Sequence, residues 1–229
     1  GIEPTVVHIL PSDLTYPVYD IIQVRGTNNQ GVFDSIDTAC ELRGIVHGWN
    51  DYPQGLRFTL IDPTHGINVF SAINNFGYEV QEGESVRVRG VVGQFAGLAT
   101  LYADTLIYEG SGFATQEPIQ VQEMDEATES RVIKLKCVSS INPAEWTNQW
   151  PYFDVMVDYG VGDVQIRIDG NTDIWGTEAP LGTFSVTGIG GQSDGSLPLL
   201  DGYTLLPRSL QDLTEPVLSS FEVPEVIVL

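Results

Sequence analysis

Two stretches, VRGVVGQFAGL from Val88 to Leu98 and VTGIGGQSDGSL from Val186 to Leu197, share a skeleton. Gly90, Gly93, Gln94 and Gly97 fall on Gly188, Gly191, Gln192 and Gly195 at a constant offset of 98. Self-similarity at a fixed spacing marks a repeated structural unit. The register extends outward on both sides: ELRGIV (41–46) meets KLKCVS (134–139) at offset 93, TLIDPTHG (59–66) meets VMVDYGVG (155–162) at offset 96, and Thr105-Leu106 meets Thr204-Leu205 at offset 99. The blocks keep their order, so one module of short β segments occurs twice.

Each copy resolves into five strands. The first reads as 39–49, 55–62, 67–73, 85–95 and 98–109, and the second as 131–141, 151–159, 162–169, 183–192 and 202–207. Around Val86 and Val88 the apolar residues alternate with Arg87 and Arg89, the period of a half-buried strand. Between the third and fourth strands of the first copy lies NNFGYEVQEGE (74–84), where an OB-fold places its connecting helix or a shortened substitute. Gly90 and Gly93 permit the close approach or sharp bend that a small barrel needs, and Gly97 supplies a hairpin turn. The fold class is therefore all-β, as two tandem OB-fold-like five-stranded Greek-key barrels. A β-sandwich is the alternative, although an immunoglobulin-type sandwich wants about seven strands per domain. The expected organisation is an N-terminal extension (1–15), a first OB-like domain (16–111), a polar connector (112–130), a second OB-like domain (131–215) and a C-terminal extension (216–229). The connector contains a further short strand candidate, IQVQ (119–122), and is short enough to fix how the barrels sit together.

The composition suits this reading. Twenty-four Gly and 13 Pro punctuate segments rich in Val, Ile, Thr and Phe, with 42% hydrophobic and 10% aromatic residues in 229. Apolar runs of about 18 residues, enough to span a bilayer, do not occur. No basic-then-apolar export signal precedes Gly1, and the chain ends on the apolar FEVPEVIVL, which suggests a removed signal or an excised fragment. Thirty-one acidic against 10 basic residues leave a formal net charge of −21. Nucleic-acid affinity rests largely on Lys and Arg neutralising phosphates, so the charge argues against DNA or RNA as a partner. Cys40 and Cys137 do not coincide in the repeat, and two buried free thiols are expected.

YPVYDIIQVRGTNNQGVFDSIDTACELRGIVHG (16–48), LRFTLIDPTHGINVFSAINNFGYEVQEGESVRVRGVVGQFAGL (56–98), FSVTGIGGQSDGS (184–196) and GYTLLPRSLQDL (202–213) resemble the tandem OB-like modules of secreted, multidomain surface proteins of Bacteroidota. The resemblance implies type IX secretion cargo, a secreted or cell-surface location, and a non-catalytic spacer or binding role beside neighbouring domains of a larger parent chain.

OB barrels bind ligands on their second and third strands and the loops beside them. Both first loops are aromatic: HGWNDYPQG carries Trp49 and Tyr52, and INPAEWTNQWPYF carries Trp146, Trp150 and Tyr152. Exposed, these rings could stack on a sugar or a base; folded back, they would plug the barrel mouth. DGNTD sets Asp169, Asn171 and Asp173 at alternate positions, as calcium loops do, and calcium is the one cofactor the pattern admits. Ile174 stands where an EF-hand needs Gly and Pro180 where it needs Glu, so a turn capped by Asp and Asn explains the same residues. His8, His47 and His65 form no metal-ligand spacing, and no nucleophile elbow or phosphate loop is present, so an enzyme is not expected. The apolar termini PTVVHIL and EVPEVIVL read as β segments that could pair with a second copy of the chain. The expected function is a structural or adhesive module, with a glycan-binding accessory as the alternative and nucleic-acid binding ranked below both.

Overall fold

Strand β1 (Ala39–His47), β2 (Leu56–Ile61), β3 (Gly66–Ser71), β4 (Ser85–Phe95) and β5 (Leu98–Gly110) close into a barrel in the order β1-β2-β3-β5-β4. The computed structural model describes residues 15–214, so the terminal segments that could pair with a second copy lie outside the described residues. A two-residue strand, β6 (Ile119–Gln120), follows at the IQVQ segment. The second copy comprises β7 (Val132–Ser140), β8 (Tyr152–Asp158), β9 (Asp163–Asp169), β10 (Thr183–Gln192) and β11 (Tyr203–Leu206), with β12 (Leu213–Thr214) at its edge. Because β10 pairs with both β11 and β7, the strands β7-β8-β9-β11-β10 form a second ring of the same order. The third and fifth strands run parallel in both rings, β3 with β5 and β9 with β11, as the OB-fold requires. Closure of both rings rules out the sandwich. Among the described residues no helix is long and apolar enough to cross a membrane.

Alternation explains the strands. In β8, YFDVMVD, the residues Phe153, Val155 and Val157 are buried while those between them face outward, and β9 repeats the pattern with Val164, Ile166 and Ile168. Each barrel encloses its own apolar core, one built on Leu42, Leu60 and Leu101, the other on Leu135, Ile166 and Leu205. The repeated Gly-Gln skeleton also acquires a reason. A Cβ on Gly90 would lie 2.2 Å from the Tyr102 carbonyl oxygen, and one on Gly188 would lie 2.6 Å from that of Leu206, so both mark strands pressed against the closing strand. Gln94 Nε2 donates to the carbonyls of Gly31 and Gly97, each at 2.7 Å, and Gln192 Nε2 donates to those of Leu199 and Asp201 at 3.1 and 3.0 Å. In both copies the amide ties down the loop that leaves the fourth strand.

Three sequence matches are out of register in whole or in part. A bulge adds one residue to β7 after Leu135, so Gly44 corresponds to Val138 and Val46 to Ser140, one position beyond the match at offset 93. Val46 pairs with Leu60 in the first barrel and Ser140 with Val157 in the second, so Leu60 corresponds to Val157 and not to Met156. Asp62, taken as equivalent to Asp158, lies in the turn between β2 and β3, whereas Asp158 is the last residue of β8. A slip of one residue exchanges the inward and outward sets of a strand. In the closing strand, Val69 pairs with Leu101 and Ile166 with Leu205, so Leu205 matches Leu101 and not Leu106. The pairing of Thr105-Leu106 with Thr204-Leu205 is thus a chance likeness.

Two further expectations need correction. Cys40 is buried, but Cys137 is exposed. A bulge opposite Phe184 and Val186 places an extra residue in β7, Cys137 takes φ +57°, and its thiol turns to solvent. The connector is polar for most of its length, yet Thr128, Glu129 and Ser130 are buried between the barrels. Ile174, which breaks the calcium pattern, is fully buried in the second core.

Candidate functional site

The outward face of β2 and β3 is where an OB barrel binds ligands, and in the first barrel it is covered. Thr59, Asn68 and Thr100 are only 9%, 8% and 1% exposed, and Asn68 Nδ2 donates to Thr100 Oγ1 at 3.1 Å. The covering surface is the second barrel around Gly190 and the end of the connector. Ser130 N donates to Gly190 O at 2.7 Å, Gly190 N to Arg131 O at 2.9 Å, and Asp194 N to Ala96 O at 2.8 Å. A Cβ on Gly66 would sit 1.7 Å from Ser130 O, and one on Gly190 would sit 2.2 Å from Thr128 O, so the backbones meet with no room for a side chain.

A buried ion pair anchors this junction. Arg25 Nη1 donates to Glu129 Oε1 at 2.6 Å and to Gly66 O at 3.1 Å, and its Nη2 donates to Glu126 O at 3.2 Å. Ala99 N donates to the same Glu129 oxygen at 3.1 Å. Burial pushes the Glu129 carboxyl above its usual range and the Arg25 guanidinium pulls it back. Nearby, His47 Nε2 accepts from Gln116 N at 2.8 Å while Nδ1 lies 2.9 Å from Ile45 O. That pair of partners specifies a neutral ring protonated on Nδ1. Burial lowers its pKa accordingly.

At one end of the junction the two barrels leave a cleft of about 180 Å³. Trp49 and Asp51, from the loop after β1, and Arg57, from β2, face Tyr152, Arg167 and Asp169 on β8 and β9. The indole Nε1 of Trp49 is buried and meets no acceptor. Asp51 is paired with Arg57. Burial raises the Asp51 pKa, Arg57 lowers it, and Asp169 raises it again from across the cleft. Arg167 donates through Nε and Nη2 to the two carboxylate oxygens of Asp154, at 2.7 and 2.9 Å, and its Cζ stands 4.5 Å from the Tyr152 ring centroid. The site therefore offers one unanswered donor, two carboxylates and two arginines already engaged.

The five aromatic residues singled out from sequence divide three ways. Trp49 lines the cleft. Tyr52 is half-buried with its ring 5.2 Å from that of Phe70, and Trp146 folds back over the second core, donating from Nε1 to Thr177 O at 2.9 Å and meeting Phe153 edge-on at 5.4 Å. Trp146 is thus a plug. Trp150 and Tyr152 remain open to solvent, at 60% and 47% exposure. Trp175, in the excursion after β9 and not singled out from sequence, stands edge-on to Trp150 at 6.2 Å and is 41% exposed. Asp51, Arg57 and Arg167 were also missed. Their signal was faint but present: two of only 10 basic residues sit on second or third strands.

Asp169 and Asn171 serve a turn, and Asp173 holds a distant segment. Asp169 Oδ1 accepts from Asn171 N and Nδ2, both at 2.8 Å, and Asp173 Oδ1 accepts from Leu210 N at 2.6 Å. Among the described residues no group of three His, Cys, Asp or Glu side chains is placed to hold a metal ion.

No family model matches the sequence, and no curated protein matches it. Among solved structures the chain is similar to a murine DNA-binding protein bound with double-stranded DNA, at 9% identity and a TM-score of 0.37, covering 72% of this chain and 90% of that one. The p204 HINb domain is similar at 7% identity and TM-score 0.34, covering 76% and 94%. The hypothetical protein ygiW from E. coli is similar at 18% identity and TM-score 0.31, covering 40% and 89%.

Proposed function

We propose that the chain is a non-catalytic structural or adhesive module of a secreted or cell-surface protein, in which two barrels form one rigid unit that presents a single open sheet face. The observation that carries this reading is the junction, where Glu129 is fully buried against Arg25 and the main chains of the two halves hydrogen-bond directly. A linker meant to flex would expose these groups to water. The secreted, Bacteroidota-type parent with type IX secretion rests on the resemblance of residues 16 to 215.

Other features support the absence of catalysis. The buried rings of His47 and His65 are spent on backbone groups: His47 on Ile45 and Gln116, and His65 Nδ1 on the Gly66 N–H at 3.0 Å. In the cleft, Asp51 is held by Arg57, and Asp169 by Asn171. A net charge of −21 also opposes any phosphate backbone. The test is ¹⁵N relaxation on the whole chain. One rotational correlation time shared by both barrels is expected, and two independent times would overturn the rigid-unit reading.

A glycan-binding accessory role is favoured by a different observation, the solvent-exposed pair Trp150 and Trp175 beside Tyr152.

A further inference from the structure

We propose that the cleft between the barrels is a subsite for one unit of an uncharged glycan, with the adjoining unit lying across Trp150. The proposal rests on the glycan-binding reading and on the junction that brings the two walls of the cleft together.

Size comes first. At about 180 Å³ the cleft is smaller than the roughly 300–1,000 Å³ of pockets that take drug-sized ligands. It suits a single sugar ring and not an oligomer. The polar inventory then selects hydroxyl groups. The Trp49 N–H needs an acceptor, while the Asp51 and Asp169 carboxylates on the facing walls accept. A hydroxyl both donates and accepts, so neighbouring hydroxyls on one ring answer both needs.

Charge excludes the anionic alternatives. Arg57 and Arg167 are the site's cations, and each is already committed to a carboxylate, Asp51 or Asp154. With Asp169 added, the five groups sum to a formal −1 on a chain of −21. A uronate, sulfate, sialate or phosphate would meet a negative field without a free arginine to receive it. A cationic amine would not be repelled, but it has no acceptor to offer the Trp49 N–H.

The exit from the cleft is built for a second unit. Gly170 directly follows Asp169, and the Trp150 ring lies against it so closely that a Cβ there would be 2.4 Å from Trp150 Cε3. Trp175 braces that ring from the side at 6.2 Å. Braced and 60% exposed, the indole presents apolar surface beside a polar cleft. The C–H face of a sugar stacks on such a surface while its hydroxyls stay wet.

Calorimetric titration of the full chain with neutral oligosaccharides (xylo-, manno-, cello- and chito-oligomers and malto-oligomers), with de-N-acetylated chitosan oligomers and with heparin and oligogalacturonate tests this. Binding to at least one neutral oligomer is expected, with heparin and oligogalacturonate silent. Trp49→Phe keeps an aromatic side chain but removes the five-membered ring together with its N–H, and should weaken that binding by at least about fivefold, the worth of one hydrogen bond. Trp150→Ala changes an exposed side chain, so folding is retained. It should weaken oligomers severalfold while leaving the monosaccharide's affinity unchanged. Silence of the whole neutral panel, a preference for the charged oligomers, or neutral binding indifferent to both variants would each overturn the proposal.

Discussion

In the first barrel the outward residues of β2 and β3, Thr59 and Asn68, lie sealed beneath the neighbouring domain, whereas in the second the equivalent positions on β8 and β9, among them Tyr152, Asp154, Gln165 and Arg167, remain partly open. Strand order and parallel closure are the same in both. The difference is therefore one of placement: one barrel has given its ligand face to the junction, and the other keeps its own. An OB topology by itself does not say whether its usual binding surface is available.

The largest expected effect attacks the seal. Arg25→Met leaves Glu129 buried with no counter-charge, and breaking such a pair on one side typically costs about 3–5 kcal/mol. Arg25→Met combined with Glu129→Gln removes both charges and should recover most of that loss. Urea unfolding measures the stabilities, and hydrogen exchange at Thr59 and Asn68 reports whether the first barrel's face has opened. If Arg25→Met costs less than about 1 kcal/mol, the ion pair does not hold the junction, and the contrast between the two faces needs another cause.

A smaller effect comes from acid. His65 is buried at the end of the β2–β3 turn, and its pKa is lowered to about 4 by burial first and then by the nearby Arg25 and Arg131, against the opposite pull of Asp62. Above pH 6.5 the ring is neutral folded or unfolded and contributes nothing to the pH dependence. As the pH falls from 6.5 towards 4, the unfolded chain takes up a proton that the folded chain refuses, so stability declines through that window, by about 3 kcal/mol in all. Glu126 and Glu129, raised by burial, act with the opposite sign. The informative measurement is consequently the difference between wild type and His65→Gln across pH 4–7. The variant should lack the decline attributable to the ring, and parallel curves would show that the junction is not acid-sensitive through His65. The corresponding turn of the second barrel, YGVG at residues 159–162, has no histidine and faces solvent.

Much of this architecture was legible in the residues. Both sets of five strands begin and end within a few residues of where alternation and glycines put them, because period and turn chemistry are local. Registers were less legible. Asp62 and Asp158 look alike in sequence, but Asp62 binds its own turn, accepting from Thr64 N and His65 N at 2.7 and 2.8 Å, while Asp158 still pairs with Asp163 in a hairpin. A shared residue type in different roles shifted the alignment by one. The aromatic residues were legible as a set but not individually. Whether an indole plugs a barrel, as Trp146 does, or stands free, as Trp150 does, depends on whether an acceptor such as Thr177 O lies within reach. The cleft was not legible at all, since its two walls come from different copies of the repeat and meet only through the packing around Arg25.

The smallest effect compares the two thiols. Cys40 lies in β1 within the first core, and burial alone pushes its pKa up to about 11. A thiol that is both enclosed and kept protonated reacts slowly, because the thiolate is the nucleophile. Cys137 sits on the bulge of β7 with its side chain in solvent. An aromatic disulfide reagent at neutral pH should accordingly modify one thiol per folded chain quickly and the second only on unfolding, with the fast one mapped to Cys137 by peptide mass. The melting temperature of the singly modified protein should be nearly unchanged, because the adduct extends from a residue that supports no core. Rapid modification of both thiols in the native protein would mean that the first barrel opens readily, and would remove the contrast in which the sealed barrel is also the closed one.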